Sequence, residues 1–211
     1  MNKKGLFITF EGGEGAGKST VLKAVAERLE TNGYRVVTTR EPGGVKLAES
    51  IRHSLLDDPS LDIDPKTEAL LFAAARRQHL VEKIIPALTE GAVVLCDRFV
   101  DSSLAYQGAG RGIGVEAVRH INEFAVEEHM PDVTLLFDLP IQIGLDRIKG
   151  NKRESNHLDE EGALFHETVR RTYHQLASQN EERYRMIKAD APIGAVVEET
   201  YSVIQSALDR I

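Results

Sequence analysis

The sequence predicts a three-layer α/β fold, a five-stranded parallel sheet with helices on both faces. Three observations carry this. Short apolar runs of strand length alternate with helical-period segments along the whole chain. The run Ala92–Cys96 is apolar without polar alternation, as in a parallel strand covered on both faces. The first strand runs straight into a glycine-rich loop, and a helical pattern opens immediately after it.

Each element can be justified in order. Leu6-Phe-Ile-Thr-Phe10 is β-branched and aromatic and reads as a buried strand. From Lys18 a helix follows, with Leu22, Val25, Ala26 and Leu29 on one face and an end near Asn32-Gly33. Arg35–Thr39 is a second strand ending in the turn cluster Arg40-Glu41-Pro42-Gly43-Gly44. Residues 46–56 read as helix and 57–64 as a polar loop. Pro65 opens a long helix to about Leu88, with Pro86 predicting a kink or fraying in its last turn. The third strand ends at Asp97-Arg98, and a polar, glycine-rich stretch from Ser102 to Gly114 leads to a helix over about 115–128. The fourth strand is Val133–Asp138, residues 141–148 are helical, and 150–156 is charged and turn-prone. A helix from about Glu161 to Arg183, a weak strand at 184–188 and a helix from about Ile193 complete the chain. Right-handed crossovers then bring the loops after the first three strands together at the sheet's carboxyl end, where such folds bind ligands.

The loop after the first strand has a specific chemistry. Gly12-Gly13-Glu14-Gly15-Ala16-Gly17-Lys18-Ser19-Thr20 fits G-x-x-x-x-G-K-[ST] between a strand and a helix, the phosphate-binding P-loop in its required context. Glycines let the backbone curl so that successive N–H groups converge on a phosphate chain, and the helix N-terminus adds partial positive charge. Lys18 is placed to reach the β- and γ-phosphates of a nucleotide, and the Ser19 hydroxyl to ligate Mg²⁺.

With 211 residues the chain is expected to form one domain over 1–211, large enough to bury its own core. One cysteine, Cys96, excludes an internal disulfide and suits a reducing compartment, and the histidines show no metal-ligand spacing. No signal segment or membrane-length apolar run is evident, so a cytoplasmic enzyme is expected. The net charge of −7 argues against a nucleic-acid polymer as partner. It permits a small anionic ligand if positive charge is concentrated locally.

The loops hold that charge. Asp97, at the end of a buried strand, is the candidate acidic partner of Mg²⁺; a turn or helix cap is the plainer alternative. Arg98 and Arg40, at adjacent strand ends, can clamp a second phosphate bidentately. Phe72 and Arg76 share a helix face, which suits stacking on and hydrogen-bonding to a base, or simply a core ring beside a surface cation. Ser102, Ser103, Tyr106 and Gln107 form a dense polar patch, and a carboxamide suits a base edge. Asn151-Lys-Arg-Glu154 and Asp159-Glu-Glu-Gly162 superficially match guanine-nucleotide motifs. They follow no strand and come in reversed order, so that reading is rejected.

Taken together, Phe10-Glu-Gly-Gly-Glu-Gly-Ala-Gly-Lys-Ser-Thr20, Thr39-Arg-Glu-Pro-Gly-Gly44, Leu70-Leu-Phe-Ala-Ala-Ala-Arg76, Asp97-Arg98, Ser102-Ser-Leu-Ala-Tyr-Gln-Gly108 and Gly110-Arg-Gly-Ile-Gly114 resemble bacterial thymidylate kinases of the P-loop nucleoside-monophosphate kinase superfamily. The resemblance spans essentially the whole chain. It implies a P-loop NTPase fold with a short lid, here about 149–162, and transfer of the γ-phosphoryl group of Mg-ATP to the 5′-phosphate of dTMP, giving dTDP and ADP. It implies that Phe72 stacks on thymine, Arg76 donates to an exocyclic oxygen, and Ser103 and Gln107 read the remaining edge. It also implies that Tyr106 lies against the 2′ side of the sugar and Glu14 near the 3′-hydroxyl. Arg40 and Arg98 then hold the acceptor phosphate, with Arg52 approaching it, and the resemblance implies a homodimer, the usual state of the family. This P-loop carries no arginine, so the resemblance implies a catalytic arginine from the lid: Arg153, with Arg147 just before it. His157 stands where an arginine is expected.

Overall fold

The computed structural model describes residues 5–58, 60–150 and 161–210 of the chain. Strand β1 (Leu6–Gly12) is buried along its whole length. Its position explains this: it pairs in parallel with β3 (Val93–Asp97) on one side and β4 (Val133–Asp138) on the other. Beyond them lie β2 (Val36–Arg40) and β5 (Tyr184–Lys188), giving the all-parallel order β2-β3-β1-β4-β5 among the described residues.

Period-two alternation divides the core between the two faces of this sheet. Phe7, Val94 and Cys96 point into one cluster with Ala69, Leu104, Val118, Val169 and Tyr173. Ile8, Phe10, Leu95, Leu135 and Phe137 point into the other with Val21, Val25, Val196 and Ile204. The second face is therefore covered by α1 (Lys18–Thr31) and α9 (Ile193–Leu208). The first is covered by α3 (Pro65–His79), α6 (Val115–Val126) and α8 (Ala163–Gln179). A one-residue register slip in β1 would exchange the two sets, so the pattern fixes the pairing.

The long helix expected from Pro65 is present but not uniform. The Asp64 carboxylate caps it, accepting from Lys66 N and Thr67 N at 3.0 Å each. After α3 the backbone widens into a π-helical turn, Leu80–Ile84, before α4 (Ile85–Thr89). In a regular α-helix the Pro86 ring would crowd the Glu82 carbonyl; the wide turn falls just before it.

A larger departure concerns residues 102–110. Instead of a polar loop, α5 (Val100–Ser103) continues into a π-helical segment, Leu104–Gly110. Ser102 to Gly108 are buried, and a buried backbone needs its N–H and C=O groups paired internally, which helix provides and loop does not. Shorter differences follow the same logic. The helix α2 (Lys46–Arg52) passes into another π turn, His53–Asp57. α8 stops at Gln179, and Arg183 instead turns inward to grip the buried Asp101 through two bonds of 2.6 and 2.9 Å. Helix α7 (Ile141–Gly150) packs beside the P-loop. No helix among the described residues is long and apolar enough to cross a membrane.

Candidate active site

The loop between β1 and α1 is held in its curl by glycines that tolerate no substitute. Gly12 has φ +132° and a Cβ there would meet the Phe137 carbonyl oxygen at 2.4 Å. Gly15 has φ +71° and faces the Gly144 backbone of α7 equally closely. No side chain caps the N-terminus of α1 and no acid occupies its first turn, so its N–H groups are available to an anion. Lys18 folds back over the loop, its ammonium donating to Gly12 O at 3.1 Å and Gly13 O at 2.9 Å. Burial, reinforced by the Arg98 charge, lowers its pKa to about 8.

Parallel pairing aligns the end of β3 with the end of β1, and this brings Asp97 to the P-loop. The Ser19 hydroxyl donates to Asp97 Oδ2 across 2.5 Å. A hydroxyl and a carboxylate converging beside a phosphate loop form an oxygen-only donor pair. This fits Mg²⁺, which binds through one or two protein oxygens with the remainder from water and phosphate.

Arg98 follows in the left-handed backbone region, at φ +71°. Its guanidinium donates to Gly12 O and Ser102 Oγ at 3.2 Å each, pairs with Glu14, and reaches Tyr106 OH at 3.3 Å. Tyr106 OH in turn donates to Glu14 Oε1 at 3.2 Å. Burial pushes the Tyr106 phenol well up, so it remains a neutral donor. Arg40 is steadied by Glu49, which also accepts from Gly44 N, and Arg52 reaches Pro42 O.

Arg76 is almost wholly enclosed, and its partners explain how a buried cation is tolerated. Nε donates to Glu41 at 2.7 Å, Nη1 to Ser103 Oγ and Asn122, and Nη2 to Phe99 O at 2.9 Å. Glu41 also holds His79 Nδ1 at 2.9 Å. Of the five guanidinium N–H groups, one on Nη2 is left over.

The walls of a single cavity of about 250 Å³ include every substrate-site residue expected from the sequence: Glu14, Arg40, Arg52, Phe72, Arg76, Arg98, Ser103, Tyr106 and Gln107, together with Lys18, Ser19 and Asp97. Two chemically distinct sets face the same space. Lys18, Ser19, Asp97, Arg98 and Arg40 suit phosphates and a metal; Phe72, Arg76, Ser103 and Gln107 offer a ring and hydrogen-bonding groups. Thr20 lies exposed on α1, and Ala16 is buried beneath the loop. Arg147 lies on α7 and donates to Gly15 O and Ala189 O, at 3.3 and 3.1 Å. Arg153 and His157 lie outside the described residues, as does the lid apart from 149–150 and 161–162.

Sequence reasoning passed over several contributors. Glu41, Pro42 and Leu56 also line the cavity. Glu49, Asn122 and Glu68 brace its arginines and its glutamine from behind. Glu41 had a visible signal, an acid between Arg40 and Pro42 at a strand's carboxyl end. Asn122 had none, because its partner lies 46 positions away.

Fold and site together define a P-loop phosphotransferase of the nucleotide-kinase type, whose phosphate loop opens into the same cavity as a ring and a set of hydrogen-bonding groups. Known proteins narrow this. A family model described as Thymidylate kinase matches residues 10–200. A thymidylate kinase of Shouchella clausii is 54% identical over 207 residues, covering 98% of this chain and 97% of that one. One from Staphylococcus epidermidis is 54% identical over 198 residues, 94% of this chain and 96% of the relative. The crystal structure of thymidylate kinase from Ehrlichia chaffeensis superposes with a TM-score of 0.77 at 34% identity, over 95% of this chain and 98% of that one. The chain belongs to the thymidylate kinase family.

Proposed function

We propose that this protein transfers the γ-phosphoryl group of ATP to the 5′-phosphate of dTMP, yielding dTDP and ADP. The observation that carries the reading is the shared cavity: a phosphate loop and two arginines open into the same space as Phe72, Arg76 and Gln107. Family membership supports the same reaction.

Phosphoryl transfer asks the protein mainly for in-line positioning and for neutralisation of charge. The P-loop N–H groups and Lys18 hold the donor phosphates. Arg98, with Arg40 and Arg52 beside it, holds the acceptor phosphate. Glu14 fixes the Arg98 guanidinium and offers its carboxylate toward the sugar, and Tyr106 closes the 2′ side. Phe72 stacks on the base, Arg76 donates its remaining N–H to an exocyclic oxygen, and Ser103 steadies Arg76. Ser19 and Asp97 are the residues that would hold Mg²⁺, which would supply positive charge to the donor phosphates. On sequence grounds Arg153 belongs to the same proposal, supplying positive charge to the transferring oxygens.

A homodimer is part of the proposal. Phe124 on α6 is 89% exposed and Leu70 on α3 55% exposed. Arg77, from α3, reaches Ala125 O and Glu127 at the end of α6, so the outer sides of the two helices adjoin. An apolar surface of this kind suits a second copy of the chain. The reducing character implied by a single buried Cys96 supports a cytoplasmic setting.

A coupled assay for ADP across dTMP, dUMP, dCMP, dGMP and AMP, with ATP and Mg²⁺, tests the reaction. The expected result is dTMP as preferred acceptor; equal or better turnover of dCMP, dGMP or AMP overturns it.

A further inference from the structure

Gln107 faces the cavity from the π-helical segment after α5, and its orientation is set from behind. Its Nε2 donates to Glu68 Oε1 at 2.8 Å. Glu68 stands in the first turn of α3, is buried, and takes no part in the cavity wall. A carboxylate accepts hydrogen bonds only, whereas a carboxamide can turn either end outward. Facing Glu68, Gln107 must present its NH₂ group backward and its carbonyl oxygen toward the cavity. Arg111 holds Glu68 in place, with Nε and Nη2 each 3.4 Å from a different carboxylate oxygen, and itself pairs with Glu161. Its guanidinium lies over the Phe165 ring, whose edge-on neighbour is Tyr106.

We propose that Glu68 is a specificity-determining positioning residue, fixing the Gln107 carboxamide so that the cavity presents an acceptor beside the Arg76 donor. This rests on the reading that the cavity takes a pyrimidine monophosphate. A base with an N–H at ring position 3 and an oxygen at position 4 meets both groups correctly. Cytosine, with a bare N3 and an amino group at position 4, meets acceptor with acceptor and donor with donor. A site that leaves buried polar groups unpaired rejects the wrong ligand strongly.

The test is the ratio of kcat/KM for dTMP over dCMP in Glu68→Gln. The amide keeps the shape of Glu68 but offers both a donor and an acceptor, so Gln107 is no longer restricted to one orientation. The ratio should fall about tenfold or more, mainly through a higher KM for dTMP with kcat less affected. Glu68→Asp keeps an acceptor-only group and should hold the ratio closer to wild type. If Glu68→Gln does not fold, Glu68→Met, which removes the acceptor while Arg111 keeps Glu161, should lose the ratio in the same way. In a Gln107→Ala background, Glu68→Gln should cause no further loss. A ratio within twofold of wild type in a folded Glu68→Gln or Glu68→Met protein overturns the inference. So does an equal loss of the ratio in the Gln107→Ala background, since Glu68 would then act on specificity without Gln107; a merely structural role would lower both substrates alike and leave the ratio unchanged. If the wild type itself does not prefer dTMP, the assignment of the cavity fails instead, and that is read separately.

Discussion

Ser19 and Asp97 stand 78 positions apart in the chain and meet through a 2.5 Å hydrogen bond at the point where β1 and β3 end side by side. The sheet topology alone makes that meeting possible. It joins a hydroxyl from the first turn of α1 to a carboxylate delivered by a buried strand.

The pair predicts metal dependence with a particular mutational pattern. Chelation should abolish turnover, and Mg²⁺ in excess of chelator should restore it. Asp97→Asn keeps the shape and loses the charge, so turnover should fall by about a hundredfold, the equivalent of a few kcal/mol of charge stabilisation. Steady-state kinetics across Mg²⁺ concentrations checks this. Undiminished rates in chelator would remove the metal role.

Lys18 predicts proton uptake on nucleotide binding. Its pKa is lowered to about 8 by burial, with the Arg98 charge next in effect. Nucleotide phosphates favour the charged ammonium and raise the pKa again. Near pH 6 the group is already protonated and uptake should be negligible. At pH 8 about half a proton should be taken up per nucleotide, and more at pH 9, with affinity declining as pH rises. Calorimetric titration in buffers of different ionisation enthalpy measures the number. Zero uptake at both pH 8 and pH 9 contradicts the assignment.

These two predictions draw on features of different legibility. The P-loop, Asp97 and the sheet's alternation are local signals, readable because strand period and glycine spacing live within a few residues. The helix at 100–110 was not readable. Its polar, glycine-rich composition argues for a loop, and only its burial against β1, α6 and α8 selects helix. Phe72 and Arg76 were legible as a shared face, but the enclosure of Arg76 depends on Glu41 and Asn122, which come from elsewhere in the fold. Pairings over tens of positions leave no periodic trace in a single sequence. Glu68 looks from sequence like an ordinary acid near a helix start, which favours the dipole; only the structure gives it Gln107 and Arg111.

Phe124 predicts the assembly. An aromatic ring 89% exposed on α6 is costly to leave in water. Phe124→Asp should shift the protein to monomers at micromolar concentration, read by sedimentation velocity, with little change in monomer stability because the ring has no core contacts to lose. A wild type that is already monomeric at that concentration, or an Asp variant that remains a dimer, rejects this face as the contact.

Glu11 predicts a pH dependence of stability. It is the last polar residue of β1 before the loop, fully buried, and every contact is a donor: Phe99 N at 2.7 Å, Ser102 Oγ at 2.6 Å and Tyr173 OH at 2.8 Å. Burial first, and then the neighbouring Asp101 charge, raise its pKa from 4.5 to about 7 against the opposing effects of these hydrogen bonds and Arg98. The folded pKa lies above the unfolded one. Below 4.5 both states hold the proton, and the group's stabilising contribution is fully present. Between 4.5 and 7 the unfolded chain releases it freely while the fold retains it, so that contribution is lost as pH rises. The loss is on the order of 3 kcal/mol and levels off above 7. Glu11→Gln cannot ionise, and its amide can still meet Ser102 and Tyr173, whose hydroxyls accept as well as donate. Relative to wild type, the variant should therefore gain stability from pH 5 to about pH 7 and level off by pH 8 in denaturant unfolding. The absolute stability at pH 5 is not the test, since the exchanged hydrogen bonds alter it independently of pH. Parallel profiles for the two proteins over that range would mean that Glu11 is already ionised in the fold at pH 5, and that its donors outweigh burial and Asp101.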